Sequence, residues 1–344
     1  MNFDPQAHFS PQSTYLNTAT VGLPSNATMA AMQTDMARWQ QGDLNPVEYD
    51  EVVGECRRLF GRLIDVPADW VSIGNQVAPF VGMLAQTLKP GARVLAADND
   101  FTSVLFPFFV QEARGIEVVV VPLDELVERL DESFDWVALS AVQSCNGQVA
   151  ELDAISLKAQ STGARILLDA THAVSWLDIK PKHWDMLVCG AYKWLMSPRG
   201  TAFCAMRPDL MDEVIPVYAN WYAGEDIWQS IYGTPLRLAT SARRFDISPA
   251  WLCWVGTLPA LQLVDELGVA NIGEHNIALA NRFCCGAGLP AANSAIVSIN
   301  EPGVGEKLQR AGIKASVRAG AGRLSFHLYN TEADVDRALE VIQG

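Results

Sequence analysis

Short apolar runs closed by polar or glycine-bearing turns alternate with stretches whose apolar positions recur every three or four residues. The runs at Val71-Ser-Ile, Arg93 to Ala97, Ile116 to Pro122, Trp136 to Val142, Arg165 to Ala170, Asp185 to Gly190 and Gly200 to Met206 have the length and β-branched content of buried strands. Helical periodicity covers Ser25 to Trp39, Pro46 to Leu63, an apolar stretch ending near Leu88, Leu123 to Leu130, and Leu152 to Ser161. Ser25 or Asn26 would cap the first helix, and Asn45 the second, with Pro46 at its first position. Strands alternating with helices at this spacing imply right-handed crossovers and a mostly parallel sheet with helices on both faces. From Trp251 the pattern changes to two helices, one to Leu267 and one through Phe283. Ala295 to Ile299, Gly303 to Ala311, Lys314 to Arg318, Arg323 to Tyr329 and Thr331 to Ile342 then alternate strand and helix. The chain therefore divides into an arm over 1–14, a large α/β domain over 15–250 and a small C-terminal α/β domain over 251–344.

A chain of 344 residues with 49% hydrophobic content can build two cores. Its formal charge of −14 leaves no basic stripe for nucleic acid or an anionic membrane. The opening MNFDPQAHFSPQ lacks a basic region followed by an apolar one, and no stretch reaches membrane-spanning length, so a cytoplasmic protein is expected. Seven cysteines, several inside apolar runs, suit a reducing compartment. No metal is expected, because Cys284-Cys285 are adjacent and the five histidines are scattered. There is no P-loop, and the glycines between Arg318 and Arg323 lack the strand and helix of a dinucleotide fingerprint.

The chemistry concentrates between Arg165 and Phe203. One apolar run ends on Asp169, followed by Thr171 and His172; the other ends at Gly190 and is followed by Ala191, Tyr192 and Lys193. Carboxyl ends of parallel strands face the ligand crevice of an open α/β sheet, so Asp169 and Lys193 are expected to share it. Two readings suit the pair: a buried ion pair, or pyridoxal phosphate chemistry. In the second, a lysine amine holds the cofactor aldehyde and an aspartate keeps the pyridine nitrogen protonated. Asp169-x-x-His172, the following strand and Tyr192-Lys193 resemble the aminotransferase class V group of fold-type I pyridoxal phosphate enzymes. That group also contains cysteine desulfurases, kynureninases and isopenicillin N epimerase-like proteins. Arg323-x-Ser-x-x-x-Tyr-Asn-Thr331 resembles the C-terminal motif of the same family.

The resemblance implies a pyridoxal 5′-phosphate enzyme in which Lys193 forms the Schiff base and Asp169 faces the pyridine nitrogen. His172 and Phe101 would lie against or near the ring, and Tyr192 would reach the phosphate. Gln76 and Val77 stand at the phosphate-binding turn where the family usually has Ala-Thr, so backbone contacts carry over and a hydroxyl does not. Arg323 would clamp the substrate carboxylate, with Asn17 and Thr18 close by. Gly200 to Met206 would be an antiparallel edge strand, and Gln143 to Gly147 a crevice-lining turn. Trp221, and Ser248 in Arg243-Arg-Phe-Asp-Ile-Ser-Pro249, would reach the neighbouring subunit's cofactor, which implies a homodimer with shared sites. The partner is a small α-amino acid, with no nucleic acid and no membrane. Transamination is the expected reaction, with a carbon-sulfur β-lyase or an epimerase as alternatives. A desulfurase is disfavoured, because the Val317–Arg323 link contains no cysteine nucleophile. Retention of Asp169, Lys193 and Arg323 speaks against a non-catalytic cofactor-binding protein.

Overall fold

The structure, a computed structural model, describes residues 4–318 and 320–344. Seven strands form the main sheet: β1 (Val71–Gly74), β2 (Arg93–Ala97), β3 (Glu117–Val121), β4 (Trp136–Ser140), β5 (Arg165–Asp169), β6 (Met186–Gly190) and β7 (Ala202–Met206). Their order is β1-β7-β6-β5-β4-β2-β3. The strands β3, β2, β4, β5 and β6 run parallel, and β7 is antiparallel to both its neighbours. Every residue of β4, β6 and β7 is buried, as expected for strands covered on both faces.

The strand β7, expected at an edge, lies inside the sheet, and β1 is the edge. That position is tenable because the outer side of β1 is covered. Ile73 N donates to Asp246 Oδ1 at 2.9 Å, and Ile247 N donates to Ile73 O at 3.0 Å. Asp246 in turn pairs with Arg57, Nη2 to Oδ2 at 2.6 Å, with both side chains buried. The loop after Arg243 thus fills the hydrogen-bonding positions that a short edge strand leaves open.

Helices α1 (Asn26–Gln41) and α2 (Glu48–Leu63) flank the sheet, followed by α3 (Val77–Thr87), α4 (Thr102–Phe109), α5 (Leu126–Arg129), α6 (Leu152–Thr162) and α7 (Pro208–Met211). Of the two N-caps proposed for α1, Ser25 fills the role: its Oγ accepts from Thr28 N at 3.1 Å. The second helix starts two residues later than Pro46. Asn45 Oδ1 accepts from Val47 N, so Asn45 caps a turn that only then runs into α2. The segment Leu123 to Leu130 is a 3₁₀ turn followed by the single turn α5.

Helix α8 (Trp251–Leu267) packs on α1 and α2 and sends Trp254, Leu261 and Val264 into the main core, and α9 (Val269–Gly286) follows it. A second sheet has the order β8 (Ile296–Ile299), β10 (Ala321–Ser325), β9 (Ser316–Arg318), antiparallel throughout. With α9, α10 (Val304–Arg310) and α11 (Glu332–Gln343) it encloses a separate core of Leu16, Phe283, Leu308, Leu324, Phe326 and Val335. The strand expected from Arg323 to Tyr329 ends at Ser325. His327 N donates to Asn330 Oδ1 and Asn330 N to His327 O, both at 2.9 Å, which turns the chain into α11. Thr331 and Asp334 then form a capping box. Residues 1–3 of the expected arm and Ala319 of the link before Arg323 lie outside the described residues. From Pro5 the arm packs back, with the Phe9 ring centroid 5.3 Å from that of Tyr329.

Candidate active site

The parallel register sets Asp169 opposite Val188, one strand from the turn that carries Lys193. Both side chains are buried, at 4% and 5% exposure. Asp169 Oδ1 accepts from Thr171 N at 2.8 Å, and among the described residues no cation lies within ion-pair distance of it. Lys193 Nζ instead shares a 2.8 Å hydrogen bond with His172 Nε2, and sits 5.3 Å from the Phe101 ring centroid. The plain ion-pair reading therefore fails.

Burial dominates the electrostatics. It drives Lys193 down to about 7, with Asp169 opposing and the Arg323 charge reinforcing the shift. It holds His172 well below its ordinary value, helped by the positive charges of Lys193 and Arg323. Asp169 is raised by burial, against the hydrogen bonds of Thr171 and the Lys193 charge. A near-neutral amine, a neutral imidazole and a carboxylate short of a cation thus occupy one low-dielectric pocket.

A cavity of about 500 Å³ opens over these groups, and Gln76, Val77, Phe101, Asp169, His172, Tyr192 and Lys193 all line it. Its other wall is the start of α3, where Gln76 makes no side-chain capping bond and the first-turn N–H groups form the positive end of the helix dipole. Phe101 is 44% exposed beside the cavity, an aromatic face free to stack. A planar pyridine carrying an aldehyde, a ring nitrogen and a phosphate matches each of these features: Lys193 for the aldehyde, Asp169 for the nitrogen, Phe101 for the ring and α3 for the phosphate.

Five candidates do not line this cavity. Arg323 on β10 is buried behind it: Nε donates to Ser316 Oγ at 3.2 Å, Nη2 to Thr20 Oγ1 at 3.1 Å, and Nη1 to Ser144 O. Desolvation lowers it to about 10. Thr20 Oγ1 bonds Asn17 Oδ1 at 2.7 Å, so Asn17 and Arg323 form one polar chain. Thr18, by contrast, turns away and bonds the Tyr329 hydroxyl. Trp221 packs on Tyr222 and Trp228, with centroids 5.3 and 5.5 Å apart, and Ser248 is exposed. The Gln143–Gly147 turn, expected on the crevice wall, instead backs Arg323 through Ser144. At Gly147, φ is 84° and a Cβ would come 2.5 Å from Ile296 O, so a glycine lets this turn press against β8.

The sequence reading missed Asp100, Thr171 and Arg199. Asp100 is buried and accepts from Phe101 N at 2.7 Å, from Ser140 N at 2.6 Å and from Ser140 Oγ. Burial raises it to about 6 against these bonds. It clamps the end of β2 to β4 and so sets Phe101. Asp98-Asn-Asp100 offered three polar residues with no sign of which one turned inward. A second clamp holds the lysine turn. His327, driven down to about 3 by burial, is neutral, and its Nε2 bonds Trp194 O at 2.9 Å while Trp194 Nε1 donates to Phe326 O.

A family model described as aminotransferase class-V matches residues 52–285. An uncharacterized aminotransferase, YcbU, of Bacillus subtilis is 25% identical over 309 residues, covering 83% of this chain and 82% of that protein. A kynureninase of Stenotrophomonas maltophilia is 24% identical over 358 residues, covering 92% and 81%. Among solved structures, a complex between the cystine C-S lyase C-DES and its reaction product cysteine persulfide superposes with a TM-score of 0.86. It shares 19% identity, over 96% of this chain and 97% of that one.

Proposed function

The chain belongs to the aminotransferase class-V family, whose members are pyridoxal phosphate enzymes, and from that premise we propose that it transaminates a small α-amino acid. The observation that carries this reading is Lys193, a buried amine lowered to about 7, hydrogen-bonded to His172 and facing the cavity that Asp169 also lines. The bound cofactor supplies an aldehyde for the substrate amine and a ring that draws electrons from the α-carbon. Lys193 Nζ would hold that aldehyde and, as an amine with a value near neutral pH, would carry the α-proton. Asp169 would hold the proton on the ring nitrogen, and the absence of an ion-pair partner among the described residues leaves it free for that task. Arg323, buried behind the cavity rather than lining it, would be the residue that meets the substrate carboxylate, its guanidinium plane already fixed by Ser144, Ser316 and Thr20.

A carbon-sulfur β-lyase uses the same first proton transfer and is the second reading, supported by the likeness to the cystine C-S lyase. The two separate when loaded protein meets amino acids and S-substituted cysteines without a keto-acid acceptor. One turnover to a keto acid and the amine form of the cofactor supports transamination. Continuous release of pyruvate, ammonia and a thiol overturns it in favour of the lyase. The protein is proposed to be a cytoplasmic homodimer whose Trp221 and Ser248 face the partner's cavity. No helix among the described residues is long and apolar enough to cross a membrane.

A further inference from the structure

A phosphate dianion taken into a partly enclosed cavity loses its hydration and requires charge or several donors in return. The first turn of α3 supplies backbone N–H groups, but Val77 adds no side-chain donor there. Among the described residues that line the cavity, only Lys193 and Arg199 are cationic. Lys193 is committed to the end held by Asp169 and His172.

Arg199 has the opposite surroundings. Its guanidinium lies 5.3 Å over the Tyr192 ring centroid, and among the described residues its one hydrogen bond is through the backbone carbonyl, with no ion pair to the side chain. A cation laid on an aromatic face keeps its fork of N–H donors in a fixed plane and free for an anion. The backbone explains why it is there. Gly200, at φ 115°, turns the chain sharply into β7, and Cys253 Sγ at the start of α8 lies 3.6 Å from Arg199 O. A Cβ at Gly200 would press within 3.3 Å of that sulfur, so the turn is built around a glycine. Arg199, Gly200 and Cys253 consequently share the cavity wall with Asn75, Gln76 and Val77.

We propose that Arg199 is the charged ligand of the cofactor phosphate in this chain, acting together with the backbone at the start of α3 and presented by the ring of Tyr192. This rests on the pyridoxal phosphate reading, and the test separates the two. Full-length protein stripped of cofactor is titrated with pyridoxal 5′-phosphate and, separately, with pyridoxal, which has the same ring and aldehyde but no phosphate. Absorbance of the lysine-bound chromophore reports binding without reference to turnover. Arg199→Gln is expected to weaken pyridoxal phosphate binding by about ten- to a hundredfold, the worth of one charge-assisted hydrogen-bond pair, and to leave pyridoxal within about twofold. Arg199→Lys should recover part of the loss. Equal weakening of both ligands, or no weakening of either, would overturn the assignment while leaving the cofactor reading intact. Wild-type protein that forms no chromophore with either ligand would overturn both.

Discussion

Lys193 owes its low value to a fold that keeps it out of water. A surface lysine is protonated at neutral pH; this one, driven down to about 7, is partly free amine there. Lys193→Ala is expected to abolish steady-state turnover, and substantial residual activity would refute its role. Asp169→Asn should cost several kcal/mol of transition-state stabilisation, a kcat loss of about a hundredfold or more, because the neutral amide cannot hold a proton on the ring nitrogen. An unchanged kcat would remove Asp169 from the mechanism. The same lysine shapes the stability of the cofactor-free protein. Its folded-state value lies below its ordinary 10.5, so between about pH 7 and 10 the unfolded chain binds more protons than the folded one. Stability from this group therefore rises with pH across that window, by up to about 1.4 kcal/mol per unit, and the penalty is fully present below pH 7. Lys193→Met should flatten that part of the curve in thermal melts run from pH 6 to 10; identical slopes would contradict the low value.

At the scale of elements, the edge strand and the loops around it carry the least obvious energetics. The four residues of β1 are held from outside by Asp246, whose carboxylate is buried and raised by desolvation while Arg57 opposes that shift. Removing one partner of such a pair strands the other charge without water, so Arg57→Leu should destabilise the fold by about 3–5 kcal/mol. The double change Arg57→Leu with Asp246→Leu should recover much of that loss, and denaturant melts of the three variants decide it. This arrangement was not legible in sequence. Arg57 reads as one polar position on an amphipathic helix and Asp246 as part of an aperiodic loop; only the chain path brings them together, 189 positions apart. The strand ends bearing Asp169 and Lys193 were legible, because a short apolar run that stops on a charged residue signals itself.

At the scale of the whole molecule, the cavity of one chain contains neither Trp221 nor Ser248. If both residues serve the partner's cavity, mixtures of Lys193→Ala protein with Trp221→Ala/Ser248→Ala protein should regain activity that neither has alone, since a mixed dimer rebuilds one complete site. No recovery, with dimers verified by light scattering, would place both residues outside catalysis. An active monomer would remove the shared-site arrangement altogether.

Periodicity determined the layered α/β plan and the order of the elements, and the strand ends marked Asp169 and Lys193 as candidates for one crevice, because those signals are local and survive in one dimension; His172 and Arg323 became candidates only through motifs that resemble the family's. Tertiary structure alone decided the strand order that puts β7 inside the sheet and β1 at its covered edge, the carboxylate clamp of Asp100, and the Thr20 link that joins Asn17 to Arg323. It also decided that Arg199 faces the cavity. Each of these depends on which distant backbone a side chain meets, and on which of several equivalent polar residues loses its water; a linear pattern specifies neither.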